Sequence, residues 1–106
     1  MKNNLVMPRR LAIQILHEAQ IAQPQAIRGW VSAEAGEAVA FTREQPASPW
    51  ARLWSVPLAP AVPSADELKA GGLHLVISLN TKGVLEMRAW ELEAGVPSER
   101  VLTIKD

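Results

Sequence analysis

Residues Leu73 to Leu79, LHLVISL, constrain this chain more than any other stretch. Apolar side chains stand at consecutive rather than alternate positions, and so short a run points to a strand covered on both faces. A strand of that kind needs one layer of chain above it and another below. The run is also far below the ~18 apolar residues that would suggest a membrane span. With 106 residues, the expectation is a single domain over residues 1–106, whose fold hides about 65% of the surface its unfolded chain exposes.

The first covering layer is legible upstream. Ala12, Ile15, Leu16, Ala19 and Ala22 recur at three- and four-residue spacing, which predicts a helix with Pro8 in its first turn and Pro24 as its stop. Leu11, Ile13 and Ile21 lie off that stripe, so the helix either meets a partner chain with a second side or is covered all round within the monomer. IRGWVSAEAGEAVAFTRE reads as two strands joined through Glu34, Ala35 and Gly36, because Gly36 can take the positive φ of a tight hairpin. The apolar run WARLWSV follows QPASP. Then WSVPLAPAVPSADEL, Trp54 to Leu68, places three of the chain's eight prolines between two strands. SADELKAGG predicts a short helix, with Ser64 and Glu67 as a capping box and Gly71 at its end. NTKG turns the chain into VLEMRAWEL, and VLTI adds a last strand. The sum is an α/β (α+β) plan, a mixed sheet with an N-terminal helix and a short helix after the central loop.

Composition removes several function classes. Eleven Lys plus Arg balance eleven Asp plus Glu without a block of like charge, so nothing favours phosphate backbones or anionic lipid, and neither nucleic acid nor membrane is expected as a partner. With no cysteine, disulfides, thiolate zinc sites and cysteine nucleophiles are excluded. MKNNLVMPRR has three consecutive apolar residues, against about 7 to 15 in a signal-peptide core, and the expected location is the cytoplasm.

The chemistry-bearing side chains are few. His17 has no His or Asp one turn away to complete a chelating pair, and reads as a surface residue. His74, inside the central strand, reads as a hydrogen-bonded structural histidine. Ser55, Ser64 and Ser78 lack the glycine-flanked elbow of hydrolase nucleophiles, and AGGLH lacks the spacing of a phosphate loop. Asp66 and Glu67 at a helix start are explained by the helix dipole and by free amide groups. Trp30, Trp50, Trp54 and Trp90 serve either a core or an interface.

The order of these pieces resembles the JAMM/MPN family of zinc-dependent isopeptidases and their relatives. There a strand runs into H-x-H-P, a short loop, and S-x-x-D on a helix. Pro57 matches the motif proline, Ser55 the residue between the histidines and Ser64 the motif serine. QPQAIRGWV resembles the family's P-x-E-x-C-G-L-L strand entry, and LHLVISLNTKGVLEMRAWEL its following strand pair. The likeness runs from about Pro8 to Ile104. It implies an MPN/JAB-like, cytidine-deaminase-like three-layer fold.

What that family uses for chemistry is missing. The two zinc histidines fall on Trp54 and Val56, and the glutamate that serves as general base falls on Ala26. Counted ungapped from Pro57, the zinc aspartate falls on Glu67, and a one-residue slip brings in Asp66. One carboxylate does not make a catalytic zinc site, which takes three protein ligands and a water. The segment before the histidine strand is also short, only Arg43 to Pro49. The resemblance therefore implies a catalytically inactive domain with no metal or other cofactor. Its partner would be a protein, either a second copy or another MPN-type chain, met through the N-terminal helix with Trp30, Trp50 or Trp90 as anchors. The competing expectation is a zinc-dependent peptidase of isopeptide or peptide tails with an altered site at His74, Asp66 and Glu67. A chance likeness would instead show a sheet order unrelated to MPN proteins.

Overall fold

The computed structural model describes residues 5–81 and 84–106. It contains strands β1 (Leu5–Pro8), β2 (Arg28–Glu34), β3 (Glu37–Thr42), β4 (Pro49–Val56), β5 (His74–Thr81), β6 (Val84–Glu93), β7 (Val96–Arg100) and β8 (Leu102–Lys105), with helix α1 at Arg9–Ala22 and a 3-10 turn at Asp66–Leu68. Six strands form one mixed sheet in the order β3-β2-β4-β5-β6-β7, while β1 and β8 pair in parallel beside it. Lys82 and Gly83 of the expected NTKG turn lie outside the described residues.

Strand β5 sits inside the sheet, and His74 through Ser78 are all buried, so both of its faces are covered. Leu75 and Ile77 face the first core, where they meet Val31, Ala51, Leu53 and Ala89, with Leu11, Ala12, Ile15 and Ala19 of α1 above them. Val76 faces a second, smaller core with Ala61, Leu68 and Trp90. Each fully buried Leu, Ile or Val contributes roughly 1.5 to 3 kcal/mol. Leu11 belongs to the packed stripe of α1 at 2% exposure, leaving Ile13 and Ile21 as its exposed large apolar residues. The helix thus presents a narrower outer apolar face than its sequence suggests.

The proline-rich segment answers a topological need. β4 and β5 are parallel neighbours, and parallel strands cannot be joined by a hairpin; the chain must cross one face of the sheet to return. Here the crossing is made by loop and a single 3-10 turn in place of the expected helix. Ser64 and Glu67 exchange the expected capping bonds: the Ser64 N–H donates to Glu67 Oε1 (2.9 Å) and the Glu67 N–H to Ser64 Oγ (3.2 Å). After Leu68 the turn stops, because Gly71 and Gly72 take positive φ of 81° and 75°. Two side chains of the sheet pin the loop from below. Ser78 Oγ donates to the Ala59 carbonyl (2.6 Å) and Trp90 Nε1 to the Ala61 carbonyl (3.0 Å).

The Ala35–Gly36 hairpin turn has φ of 54° and 82°, positive at both central residues as two-residue hairpins require. The same Glu-Ala-Gly sequence recurs at residues 93–95 with φ of 53° and 81° at Ala94 and Gly95, and it makes the β6–β7 hairpin. Strands β1 and β7 add to the expected elements, and Pro8 ends β1 as the residue before the helix rather than lying in its first turn.

Gly29 is a close-approach glycine. A Cβ there would lie 2.4 Å from the Thr42 carbonyl oxygen and 2.6 Å from the Phe41 ring. Because the first obstacle is backbone, Gly29→Ala is expected to push β2 and β3 apart and destabilise by about 3 kcal/mol, the upper part of the usual overpacking range. Denaturant titration reads this directly, and an unchanged midpoint would show that β3 yields.

Candidate functional site

The motif positions lie where the sheet's second face meets its crossover loop. Strand alternation turns Arg52, Trp54 and Val56 to that face, while Ala51, Leu53 and Ser55 point to the helix side. Trp54 and Val56 pack against the second core beside Val76 and Leu68. Ser55 is tied to the start of β2: its Oγ accepts from the Ile27 N–H (2.8 Å), and its own N–H donates to the Ile27 carbonyl (3.0 Å). Exposed Ala26 is the residue just before this contact. Trp54 and Val56 share one face of β4, Ala26 adjoins the Ile27–Ser55 contact at its end, and Pro57 and Ser64 frame the loop that follows.

A groove of about 350 Å³ opens beside them, lined by Arg28, Trp30, Arg52, Trp54, Glu67 and His74. His74 is 1% exposed. Its Nδ1 accepts from Trp54 Nε1 (3.4 Å), and its Nε2 is buried with no hydrogen-bond partner. Burial pushes the imidazole below its ordinary value, the Arg52 guanidinium adds to this, and the Gly71 backbone opposes it. A histidine whose folded pKa lies below the ordinary value is predominantly uncharged in the native state at neutral pH. Native stability is then undiminished above the ordinary value of 6.5 and falls as pH drops below it, levelling off once the folded pKa is passed. The melting temperature is expected to decline between pH 7 and pH 5, by at most about 1.4 kcal/mol of stability per pH unit, and His74→Gln should flatten that decline. A flat profile in the unmodified protein would contradict the neutral imidazole.

Other site residues have ordinary structural partners. Asp66 is 82% exposed and pairs with Lys69 at 3.0 Å. Glu67 Oε1 also accepts from Ser64 Oγ (3.3 Å). His17 is exposed. Trp90, a candidate anchor on sequence grounds, is 8% exposed and belongs to the second core; Trp30 and Trp50 remain half-buried.

No family model matches the sequence, and neither does any curated protein. Solved structures do. A solution structure of a protein from Desulfitobacterium hafniense superposes with a TM-score of 0.76 at 14% identity, over 96% of this chain and 93% of that one. A JAMM structure described as a metalloprotease-like zinc site in the proteasome and signalosome gives 0.77 at 16% identity, over 98% and 100%. A JAB1/MPN domain protein from Archaeoglobus fulgidus gives 0.68 at 15%, over 93% and 98%. The fold is that of the JAMM/MPN domain.

The zinc that a JAMM/MPN fold implies is poorly served by the residues present. Trp54 and Val56 offer carbon, and the indole nitrogen of Trp54 is a donor with no lone pair for a metal. Glu67 is one carboxylate, already engaged by Ser64, where a catalytic zinc takes three protein ligands. His74 spends Nδ1 on Trp54. Among the described residues no three His, Cys, Asp or Glu side chains gather closely enough to hold a metal ion. Neither the family's ligand positions nor the altered set of His74, Asp66 and Glu67 fits zinc. No helix among the described residues is long and apolar enough to cross a membrane.

Sequence reasoning overlooked Arg28 and Arg52. The available signal was the repeated Arg-x-Trp of RGW (28–30) and RLW (52–54), which the β2–β4 register pairs reciprocally, Arg28 with Trp54 and Trp30 with Arg52.

Proposed function

We propose that this chain is a catalytically inactive JAMM/MPN-like domain, one unit over residues 1–106, that acts in the cytoplasm by binding protein. The observation that carries the reading is the filling of the ligand positions: Trp54 and Val56 pack into the second core where the family's histidines fall. Apolar packing there stabilises the side of the sheet that only a loop covers. With Ala26 at the position of the general base, no side chain there can take a proton from an attacking water.

The partner is a second copy or another MPN-type chain. Support comes from the outer side of α1, where Ile13 and Ile21 are 59% and 68% exposed. Half-buried Trp30 and Trp50 are the remaining aromatic anchors.

Elemental analysis of the purified protein, followed by zinc titration after chelator treatment, tests the inactive site. The expected result is no stoichiometric zinc and no zinc-dependent cleavage of peptide or isopeptide tails. Stoichiometric zinc that is lost in Glu67→Gln or Asp66→Asn would establish the enzyme instead. Sedimentation tests self-association, with a dimer that dissociates in Ile13→Glu as the expected outcome. A chain that stays monomeric at high concentration and captures no MPN-type chain would end the binding reading.

A further inference from the structure

We infer that the groove between β2, β4 and the 3-10 turn is a receptor for a peptide carboxylate. This rests on the binding reading above and names the chemistry that the bound segment presents. The two Arg-x-Trp segments are antiparallel neighbours, so Arg28 lies opposite Trp54 and Arg52 opposite Trp30, with the two arginines diagonal to each other. Diagonal positions of this kind are about 7–8 Å apart at the backbone, within joint reach of one ligand. Arg52 is also the direct neighbour of His74 across the β4–β5 ladder.

All three groups offer donors. The Arg52 guanidinium stacks on the Trp30 ring, 4.2 Å from its centroid, which orients the planar fork. Neither Arg28 nor Arg52 forms an ion pair among the described residues. Because His74 Nδ1 accepts from Trp54, the proton of the neutral ring sits on Nε2, a buried N–H that makes no well-formed hydrogen bond, the Gly71 backbone acting on the ring as a minor influence. A buried donor without a well-formed hydrogen bond gains from a better acceptor, and an oxyanion held in the groove that His74 lines would supply one.

Charge selects the kind of anion. Two arginines and Glu67 leave the groove one positive charge with His74 neutral, which matches a monoanionic carboxylate better than a phosphate dianion. The volume, about 350 Å³, is at the small end of ligand sites and admits one or two residues of a chain. The half-buried rings of Trp30 and Trp54 flank it with apolar surface. A carboxylate of this kind comes either from an Asp or Glu side chain or from a chain terminus.

Three pentapeptides separate the sources when titrated into the full chain: one capped at both ends with a central Glu, its Gln counterpart, and the Gln peptide with a free carboxy terminus. Tryptophan fluorescence reads binding, and the His74 ring resonances read the site. At least one carboxylate peptide is expected to bind in the sub-millimolar range, and the doubly capped Gln peptide about tenfold or more weaker. Which carboxylate peptide binds identifies the source. Binding should raise the His74 pKa, because a nearby anion favours imidazolium. Arg28→Gln, a change at an exposed position, is expected to weaken binding about tenfold without altering the circular dichroism. Arg52→Lys, which keeps the charge and loses the fork, should weaken it several-fold.

Equal affinity for all three peptides, no binding by any of them, indifference to Arg28→Gln, or tighter binding of inorganic phosphate would each overturn the carboxylate receptor. None of these touches the inactive-domain reading, which stands or falls on zinc and on association.

Discussion

Trp90→Ala is expected to cost about 3–5 kcal/mol, the range for truncating a buried large aromatic. Three losses combine at this position. The indole is 8% exposed and anchors the second core with Ala61, Leu68 and Val76. Its Nε1 holds the crossover loop through the Ala61 carbonyl at 3.0 Å, and Arg88 stacks on its ring at 5.1 Å. On the first face, α1 could partly collapse onto a cavity. On this face the cover is a loop whose own contacts depend on the tryptophan, so little can relax to fill the space. Against a total stability of about 5–15 kcal/mol, the melting temperature should fall by about 15 °C or more. Trp90→Phe separates packing from anchoring: it keeps an aromatic ring and should cost near 1 kcal/mol for the lost hydrogen bond plus a smaller packing loss. Thermal and denaturant melts read both, and a loss below 1 kcal/mol in the alanine variant would mean that the second core does not support the fold.

The second large effect is a gain. Trp54→His combined with Val56→His should convert a chain without stoichiometric zinc into one that binds it with a Kd on the order of 1 μM, about −8 kcal/mol. The two positions alternate on one strand and so share a face, and Glu67 lines the same groove as Trp54. Two histidines and a carboxylate form a known catalytic zinc set. The double variant should be less stable than the parent without metal, since both side chains pack against the second core, and zinc should restore part of the loss by binding only the native state. Calorimetric titration with and without chelator checks it. Failure to bind in a variant that still folds would show that residues 54 and 56 are not the spatial counterparts of the ligand positions.

Acid sensitivity has a second, separate source. The Arg88 fork grips Glu99 through Nε (2.8 Å) and Nη2 (2.5 Å), and this hydrogen bonding holds the Glu99 carboxyl below its usual range. A carboxylate held low stabilises above its unfolded pKa and loses that contribution as pH falls through the folded one. The Glu99 effect therefore lies at more acid pH than the His74 effect.

Local pattern carried a large part of the fold. The helical stripe of α1, the Glu-Ala-Gly hairpin, the capping exchange between Ser64 and Glu67 and the doubly covered strand β5 each depend on contacts within a few residues or on simple periodicity. Trp54 and Val56 ahead of Pro57, and Ala26 ahead of β2, stand in the sequence where the resemblance calls for histidine and glutamate, and no tertiary contact is needed to read that much. The expected helix after the loop shrank to one 3-10 turn because Gly71 and Gly72 leave the helical region at once, and the loop is held instead by Ser78 and Trp90 of distant strands. β1 was hidden because four residues have too little pattern to announce a strand, and its partner β8 comes from the other end of the chain.

Residue order alone determined most of the element types, the interior position of β5, and the presence of Trp54 and Val56 in place of any histidine ahead of Pro57. Tertiary structure decided that Trp90 is a core residue and not a surface anchor, that Leu11 packs inward, and that Arg28, Arg52 and His74 meet on one face. Those outcomes depend on the register of strands far apart in sequence. Register is chosen by how whole faces bury one another, a property that no single segment carries.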